Sequence, residues 1–349
     1  MSEPSANEIP ATMKRLVVTA NGADVASCKI EVEIVPVPVP ASGELLIKVS
    51  AAAINPSDYM SWSRTKTEHC PATMGNEGSG VVVATGGGLV THFYSVGTAV
   101  GFAGLKNRQG AYSEYVTASA IEAVFRLPAD LPVQDAASFF VNPYTAVGIL
   151  DTARREGAAV IVHTAAASQL GQMMVKLAPS VGIDIINVVR RQEQAELLKK
   201  IGATHVVVTG NDDAWKKVLQ AKVNELGATV AFDAVAGQMS GDLLDLMPKN
   251  ATVFVYGGLS GLVQGINPLD LIYNEKKFKG FFLSSWIKSG GMLKSLYRLN
   301  GAGSKVNSGL QAGGWSSSQF KDTTLEDAHD DIVKLLNSSI TGVKLRIRF

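Results

Sequence analysis

Residues 158–191 read AAVIVHTAAASQLGQMMVKLAPSVGIDIINVVRR, and this stretch decides the fold. Ala158–Val162 is a short apolar run rich in β-branched residues, a buried strand. Thr164–Gly171 is a turn of small residues, and Gln172–Ala178 places apolar side chains at helical spacing. Ile183–Val189 is a second buried strand. Strand, tight turn, helix and parallel strand make the half-unit that holds a dinucleotide. The turn must bring a pyrophosphate close to the backbone and to the first turn of the helix. Glycines usually allow this, spaced G-x-G-x-x-G; here the aligned positions are Ala166, Ser168 and Gly171. Ala and Ser are the smallest substitutes, and the Ser168 hydroxyl can donate to a phosphate oxygen. By itself the motif equally describes an ordinary βα turn in another α/β protein.

The end of the second strand sharpens the reading. A free ribose 2′-hydroxyl is normally met there by Asp or Glu, roughly 20 residues on. This chain has Arg190 and Arg191, and no acid before Glu193. A planar, permanently charged guanidinium suits a 2′-phosphate, so NADPH is expected rather than NADH. The other reading makes both arginines solvated residues that open the next helix.

Outward from this unit, 349 residues imply two domains. A hydrophobic content of 46% with 18% charged residues describes a globular chain with a sizeable core. A net charge of +1 gives no bulk attraction to nucleic acid or anionic membrane. Cys28 and Cys70 stand far apart and form no C-x-x-C, which argues against a disulfide framework or a cysteine-built zinc site. No apolar run reaches membrane-spanning length. The start, MSEPSANEIPAT, lacks an apolar core and lacks arginine, so it reads as a loose tail. A cytoplasmic protein is expected.

Before the dinucleotide unit the pattern is β. Lys14–Thr19, Ile30–Val35, Leu45–Ala52, Val81–Ala84, Ala99–Phe102 and Tyr112–Val116 read as short strands of a small barrel-like domain. VPVPVP at 35–40 is an extended connector or an edge, because proline gives no N–H to a ladder. Gln134–Phe140 and Thr145–Leu150 read as helices split by Pro143. After it, helices Glu193–Ile201, Asp213–Leu226 and Met239–Leu246 alternate with strands His205–Val208, Thr229–Ala234, Thr252–Tyr256 and Lys279–Leu283. That is a Rossmann-type, doubly wound parallel sheet in an α/β fold. From about 288 come a helical piece, a Gly/Ser-rich loop at 301–318 and helix Leu325–Asn337. Val343–Phe349 alternates apolar and basic residues, an antiparallel strand with Val343, Leu345, Ile347 and Phe349 inward, returning to the first domain.

Seven strings in register carry a resemblance. They are AAAINPSD at 51–58, GNEGSGVV at 75–82, VNPYTA at 141–146, the β-α-β unit, FDAVAG at 232–237, VYGGLSG at 255–261 and KGFFLSSW at 279–286. Together they resemble the zinc-independent branch of the medium-chain dehydrogenase/reductase superfamily, with quinone oxidoreductases and 2-enoyl thioester reductases the most similar. The resemblance implies a GroES-like catalytic domain over 1–138, a Rossmann domain over 139–287 and a C-terminal return over 288–349. It also implies a homodimer joined through the cofactor domain. Where zinc-binding members carry G-H-E, this chain has Gly75-Asn76-Glu77, and a ligand cysteine is missing near Asn55. A catalytic zinc needs about three side-chain ligands, so no metal is expected.

The resemblance also distributes roles. Asn55 and Asp58 line the cleft from the NPSD turn, though N-P-S-D is equally good turn chemistry. Asn142 and Thr145 meet the nicotinamide end or merely start a helix. Ser168, Gln169, Leu170 and Gly171 cradle phosphate, and Arg190 and Arg191 take the 2′-phosphate. Tyr256, Gly257 and Gly258 end a strand at the carboxyl edge of the sheet, where ligands bind. Phe281, Phe282 and Leu283 offer backbone groups to the carboxamide, or fill the core. Thioester reductases of this type place a tyrosine about eight residues after the aspartate as proton donor; here that position is Lys66. Tyr59 is the nearest tyrosine, out of register, and is left two places, the cleft or the core. The expected activity is NADPH-dependent hydride transfer to a quinone or α,β-unsaturated carbonyl, a small electrophilic acceptor. The alternative is a low-turnover NADPH-binding redox sensor or structural protein.

Overall fold

The computed structural model describes residues 9–104, 109–121, 124–311, 319–338, 340 and 342–349. The chain forms two compact units: Met1–Val141 with Ser316–Phe349, and Asn142–Trp315.

The first unit opens with β1 (Thr12–Ala20), β2 (Lys29–Pro36) and β3 (Glu44–Ala53), then α1 (Pro56–Trp62). β4 (Ala72–Thr73), β5 (Glu77–Thr85), β6 (Ala99–Ala103), β7 (Tyr115–Ser119) and β8 (Val124–Arg126) follow. β2, β1 and β4 make a small antiparallel sheet, with β2 at its edge and ending on Pro36. Proline is tolerated there because an edge needs no donor on its outer side. β3 is a near-continuous apolar run, ELLIKVSAAA, and lies at the centre of the larger sheet. It pairs with β5 and β7 along different parts of its length. The expected strand at Tyr112–Val116 is displaced to Tyr115–Ser119, because Tyr112 instead bonds back to Met74 and Leu16 through its backbone.

The second unit takes the rest of α2 (Val141–Arg155), whose first residue still belongs to the first unit. Pro143 does not split a helix as expected; it sits in the first turn of α2, where an N–H has no intrahelical partner to lose. Then come β9 (Val160–His163), α3 (Gln169–Leu177), β10 (Asp184–Val189), α4 (Gln192–Lys200), β11 (His205–Val208) and α5 (Ala214–Leu226). β12 (Val230–Asp233), α6 (Gln238–Leu246), β13 (Thr252–Val255), α7 (Pro268–Ile272) and β14 (Lys277–Gly280) complete the sheet. All pairings are parallel, in the order β11-β10-β9-β12-β13-β14. The order reverses between β9 and β12, the crevice at which such sheets bind ligands. The core beneath holds Val162, Ile186, Leu219, Phe232, Leu243 and Val253.

α8 (Leu283–Lys288) and α9 (Met292–Gln311) close this unit. α9 corrects the expectation of a loop at 301–318: residues 301–311 are helical, and 312–318 lie outside the described residues. α8 and α9 thus belong to the second unit. The return consists of β15 (Gln319–Thr323), α10 (Ala328–Leu336) and β16 (Val343–Arg348). β16 lies antiparallel to β3 and parallel to β15. Its basic side chains do not face water as the alternation suggested: Lys344 and Arg346 are buried along with Leu345 and Ile347, while Phe349 is exposed. Arg346 is held there by Asp135, Asp322 and the Gln134 carbonyl.

Candidate active site and cofactor cradle

In the second unit the turn after β9 forms a cradle. Ala165 holds a φ of +48°, the left-handed region that costs a residue with a side chain about 1–2 kcal/mol. Gly171 lies in the first turn of α3, where a Cβ would stand 2.1 Å from the Ala166 carbonyl oxygen. Only glycine lets the helix lie this close to the turn. Ser168 caps the helix, its Oγ accepting the Gly171 N–H at 3.2 Å. Its own hydroxyl hydrogen remains able to donate. The amides and dipole of a helix start favour an anion.

Beside it, Thr164 Oγ1 donates to Asp233 Oδ1 at 2.7 Å and accepts the Ala234 N–H at 2.9 Å. Asp233 also takes the N–H groups of Val235 and Ala236 and the Ser240 hydroxyl. This brace ties the ends of β9 and β12 together at the switch point. His163 Nε2 and the Tyr256 hydroxyl are 2.7 Å apart, their rings stacked. Burial pushes His163 down to about 3, so the pair is neutral.

Gln194 Oε1 accepts the backbone N–H groups of both Arg190 and Arg191, at 3.0 and 3.2 Å. The Arg190 side chain is exposed, and Arg191 stands 4.0 Å from Glu193. Gly257 faces the Ala234 carbonyl, where a Cβ would come within 2.5 Å, and Gly258 is half-buried. The Phe281 ring is in the core against Gly148 and Phe232, while Phe282 is exposed and Leu283 starts α8. The Phe281 N–H is spent on Val255 and the Phe282 carbonyl on Trp286. Gln169, Leu170 and Thr145 are buried, and Asn142 is half-buried in the first turn of α2.

The first unit holds a separate polar centre. The chain leaves β3 at Ala53, turns at Asn55 and enters α1 at Pro56. Asp58 accepts the Asn55 N–H at 2.8 Å, the Tyr112 hydroxyl at 2.9 Å and the Asn76 amide. Burial nevertheless raises its carboxyl to about 6, the hydrogen bonds working against that rise. Gly75, at φ +89°, lets Tyr112 approach: a Cβ there would lie 2.5 Å from the ring. Burial raises the Tyr112 phenol as well. Asn55 Nδ2 donates to Glu77 Oε1 at 2.9 Å. Glu77 Oε2 accepts the N–H groups of Phe140 and Val141, each at 2.9 Å. Lys344 completes the group, 3.6 Å from Glu77 Oε1 and donating to Ser138 Oγ at 2.7 Å. Burial lowers its ammonium, opposed by Glu77 and Asp58.

β3 lies between β5 and β16, so Asn55, Glu77 and Lys344 emerge at one end of three neighbouring strands. Tyr59 packs edge-on to Trp62 against the apolar core, and burial moves its phenol up to about 12. Lys66 is exposed beside Glu68. Asn76, Glu77, Tyr112 and His163 were not singled out from the sequence as site residues; Tyr256, the partner of His163, was. The one signal for Glu77 was its place in the G-N-E string.

Residues 41–129 match the family model for the alcohol dehydrogenase GroES-like domain, and residues 170–296 that for zinc-binding dehydrogenase. Among relatives is the mitochondrial enoyl-[acyl-carrier-protein] reductase of Homo sapiens, 29% identical over 82% of this chain and 77% of its own length. The Xenopus tropicalis protein of the same name is 31% identical, over 71% of each chain. A putative NADPH:quinone reductase from Mesorhizobium loti superposes with a TM-score of 0.84 at 30% identity, covering 98% of this chain and all of its own. The residues present do not fit zinc: the Asn55 and Asn76 amide nitrogens are directed at carboxylates. Among the described residues, no three His, Cys, Asp or Glu side chains converge to hold a metal.

Proposed function

The chain belongs to the medium-chain dehydrogenase/reductase superfamily, among its quinone oxidoreductase-like and enoyl reductase-like members, and is an NAD(P)H oxidoreductase; from that premise we propose that it reduces a quinone or an α,β-unsaturated carbonyl with NADPH and without a metal. The observation that carries the cofactor choice is the cradle at α3 together with two arginines and no carboxylate directly after β10. When bound, NADPH supplies the hydride. The chain's own work is to hold and orient. Ser168 and the first amides of α3 take the diphosphate, and Arg190 and Arg191 take the 2′-phosphate. Asn55, its amide nitrogen held by Glu77, presents its side-chain oxygen, an acceptor, toward the bound molecules. An acceptor already polarised by conjugation needs no Lewis acid, only placement and hydrogen bonds at its oxygen. Tyr59 is half-buried against Trp62, and Lys66 is exposed at the position where thioester reductases of this type carry their tyrosine.

A fluorescence titration tests the cofactor. Replacing Arg190 and Arg191 by Ala removes charge-assisted contacts worth about 1.5–3 kcal/mol each, so NADPH should bind about 10²–10⁴-fold more weakly. NADH affinity should stay within a few-fold of the parent; equal weakening of both would remove the 2′-phosphate assignment. Oxidation of NADPH with quinones, enones and 2-enoyl-CoA esters then tests the reaction. Tight binding with no turnover across that panel would favour the redox sensor.

A further inference from the structure

The charged interior of the first unit is poorly explained by stability. Lys344 is 6% exposed and Glu77 wholly buried, and a buried ion pair gains little over an apolar pair of the same volume. What the pair does is orient. Four donors reach the two Glu77 oxygens: Asn55 Nδ2 and Lys344 at Oε1, and the N–H groups of Phe140 and Val141 at Oε2. A carboxylate has acceptor sites only, so the Asn55 amide can face it only through nitrogen. Turned over, the amide would set one acceptor against another. Asn55 Oδ1 is thereby directed away from Glu77, and it is buried with no hydrogen-bond partner. Leaving such an acceptor unsatisfied costs about 1–3 kcal/mol.

We propose that Lys344 is a positioning residue: its ammonium keeps Glu77 a pure acceptor, which locks Asn55 with Oδ1 presented to an N–H or O–H donor on the bound ligand. This rests on the placement of Asn55 in the reductase site proposed above. Lys344 acts through Glu77 and touches no ligand itself. Without it, Glu77 gains a proton or stays an unpaired buried anion. As an acid it becomes a donor at one oxygen, and the Asn55 amide is free to turn.

The test is a cycle on the full chain with N55A, E77Q/K344M and the triple variant. K344M alone leaves a buried charge and risks misfolding; E77Q/K344M removes both charges and keeps the volume. NADPH oxidation is followed with 1,4-benzoquinone or trans-2-decenoyl-CoA, whichever is reduced. Loss of one ligand hydrogen bond corresponds to about 10–100-fold in kcat/KM, expected for N55A and for E77Q/K344M alike, with no further loss in the triple variant. A triple variant showing the product of the two losses, or an E77Q/K344M enzyme with parental kcat/KM, overturns the proposal. If the parent reduces neither acceptor, the reductase reading fails on its own. The positioning claim is then read from the Asn55 side-chain amide by NMR. Its proton shifts and exchange should change in E77Q/K344M, and unchanged signals overturn the proposal.

Discussion

At the scale of single residues, Asp58 sets a measurable property. Its carboxyl is raised to about 6 in the fold, chiefly by burial, from 3.8. A raised carboxyl means that the folded state binds the proton more tightly than the unfolded chain. The stability this group contributes therefore falls as pH rises from about 4 to about 6, and levels off above. At about 1.4 kcal/mol per unit, the full change is on the order of 3 kcal/mol. Asp58→Asn cannot titrate. Urea melts across pH 4–7 should show the parent losing stability relative to Asp58→Asn as pH rises, and a constant difference would sink the assignment. Asn55 and Asp58 were legible because N-P-S-D is turn chemistry that a strand-to-helix corner demands. Lys344 was not, because alternation along a strand predicts which faces differ, not that both are covered. In the fold, with β16 paired to β3 and β15, the Lys344 side chain is buried and meets Glu77 and Ser138.

At the scale of elements, α3 and its turn hold the strongest constraint. Gly171→Ala would place a methyl 2.1 Å from the Ala166 carbonyl, a backbone group that cannot swing aside. Overpacking of this kind costs about 1–3 kcal/mol. The helix would shift from the turn, so NADPH affinity should fall with the melting temperature. A Gly171→Ala protein with parental stability and parental NADPH titration would show that the turn yields easily. The β-α-β unit was readable because its buried strands and its helix have different apolar periods. Elements that depend on tertiary company were misread. Pro143 looked like a breaker because sequence does not say where a helix begins. The Gly and Ser residues of 301–311 looked like loop because α9 is a helix of modest intrinsic propensity. Its buried Ala302 and Val306 supply packing that no local pattern announces.

At the scale of the whole molecule, one sheet edge of the second unit has exposed apolar residues in the segment leading to it. β14 pairs with β13 on one side and with no strand on the other among the described residues. The segment leading to it exposes Leu262, Leu269, Ile272 and Tyr273 at 78%, 53%, 65% and 71%. Single exposed apolar residues are ordinary, but a run of them beside an unpaired strand marks an interaction surface. Lys277 and Lys279 on the strand discourage open-ended stacking, which favours a closed two-fold pair over a filament. The expected state is a homodimer joined at this edge. Leu262→Asp with Ile272→Asp adds two charges to each half of that interface, and each must lose its water for the dimer to form. Light scattering behind size exclusion should then give a dimer mass for the parent and a monomer mass for the double variant. The NADPH titration of the variant should be unchanged, because neither residue belongs to the α3 cradle. A parent that runs as a monomer at micromolar concentration would remove the interface, and a variant that stays dimeric would move it to another face.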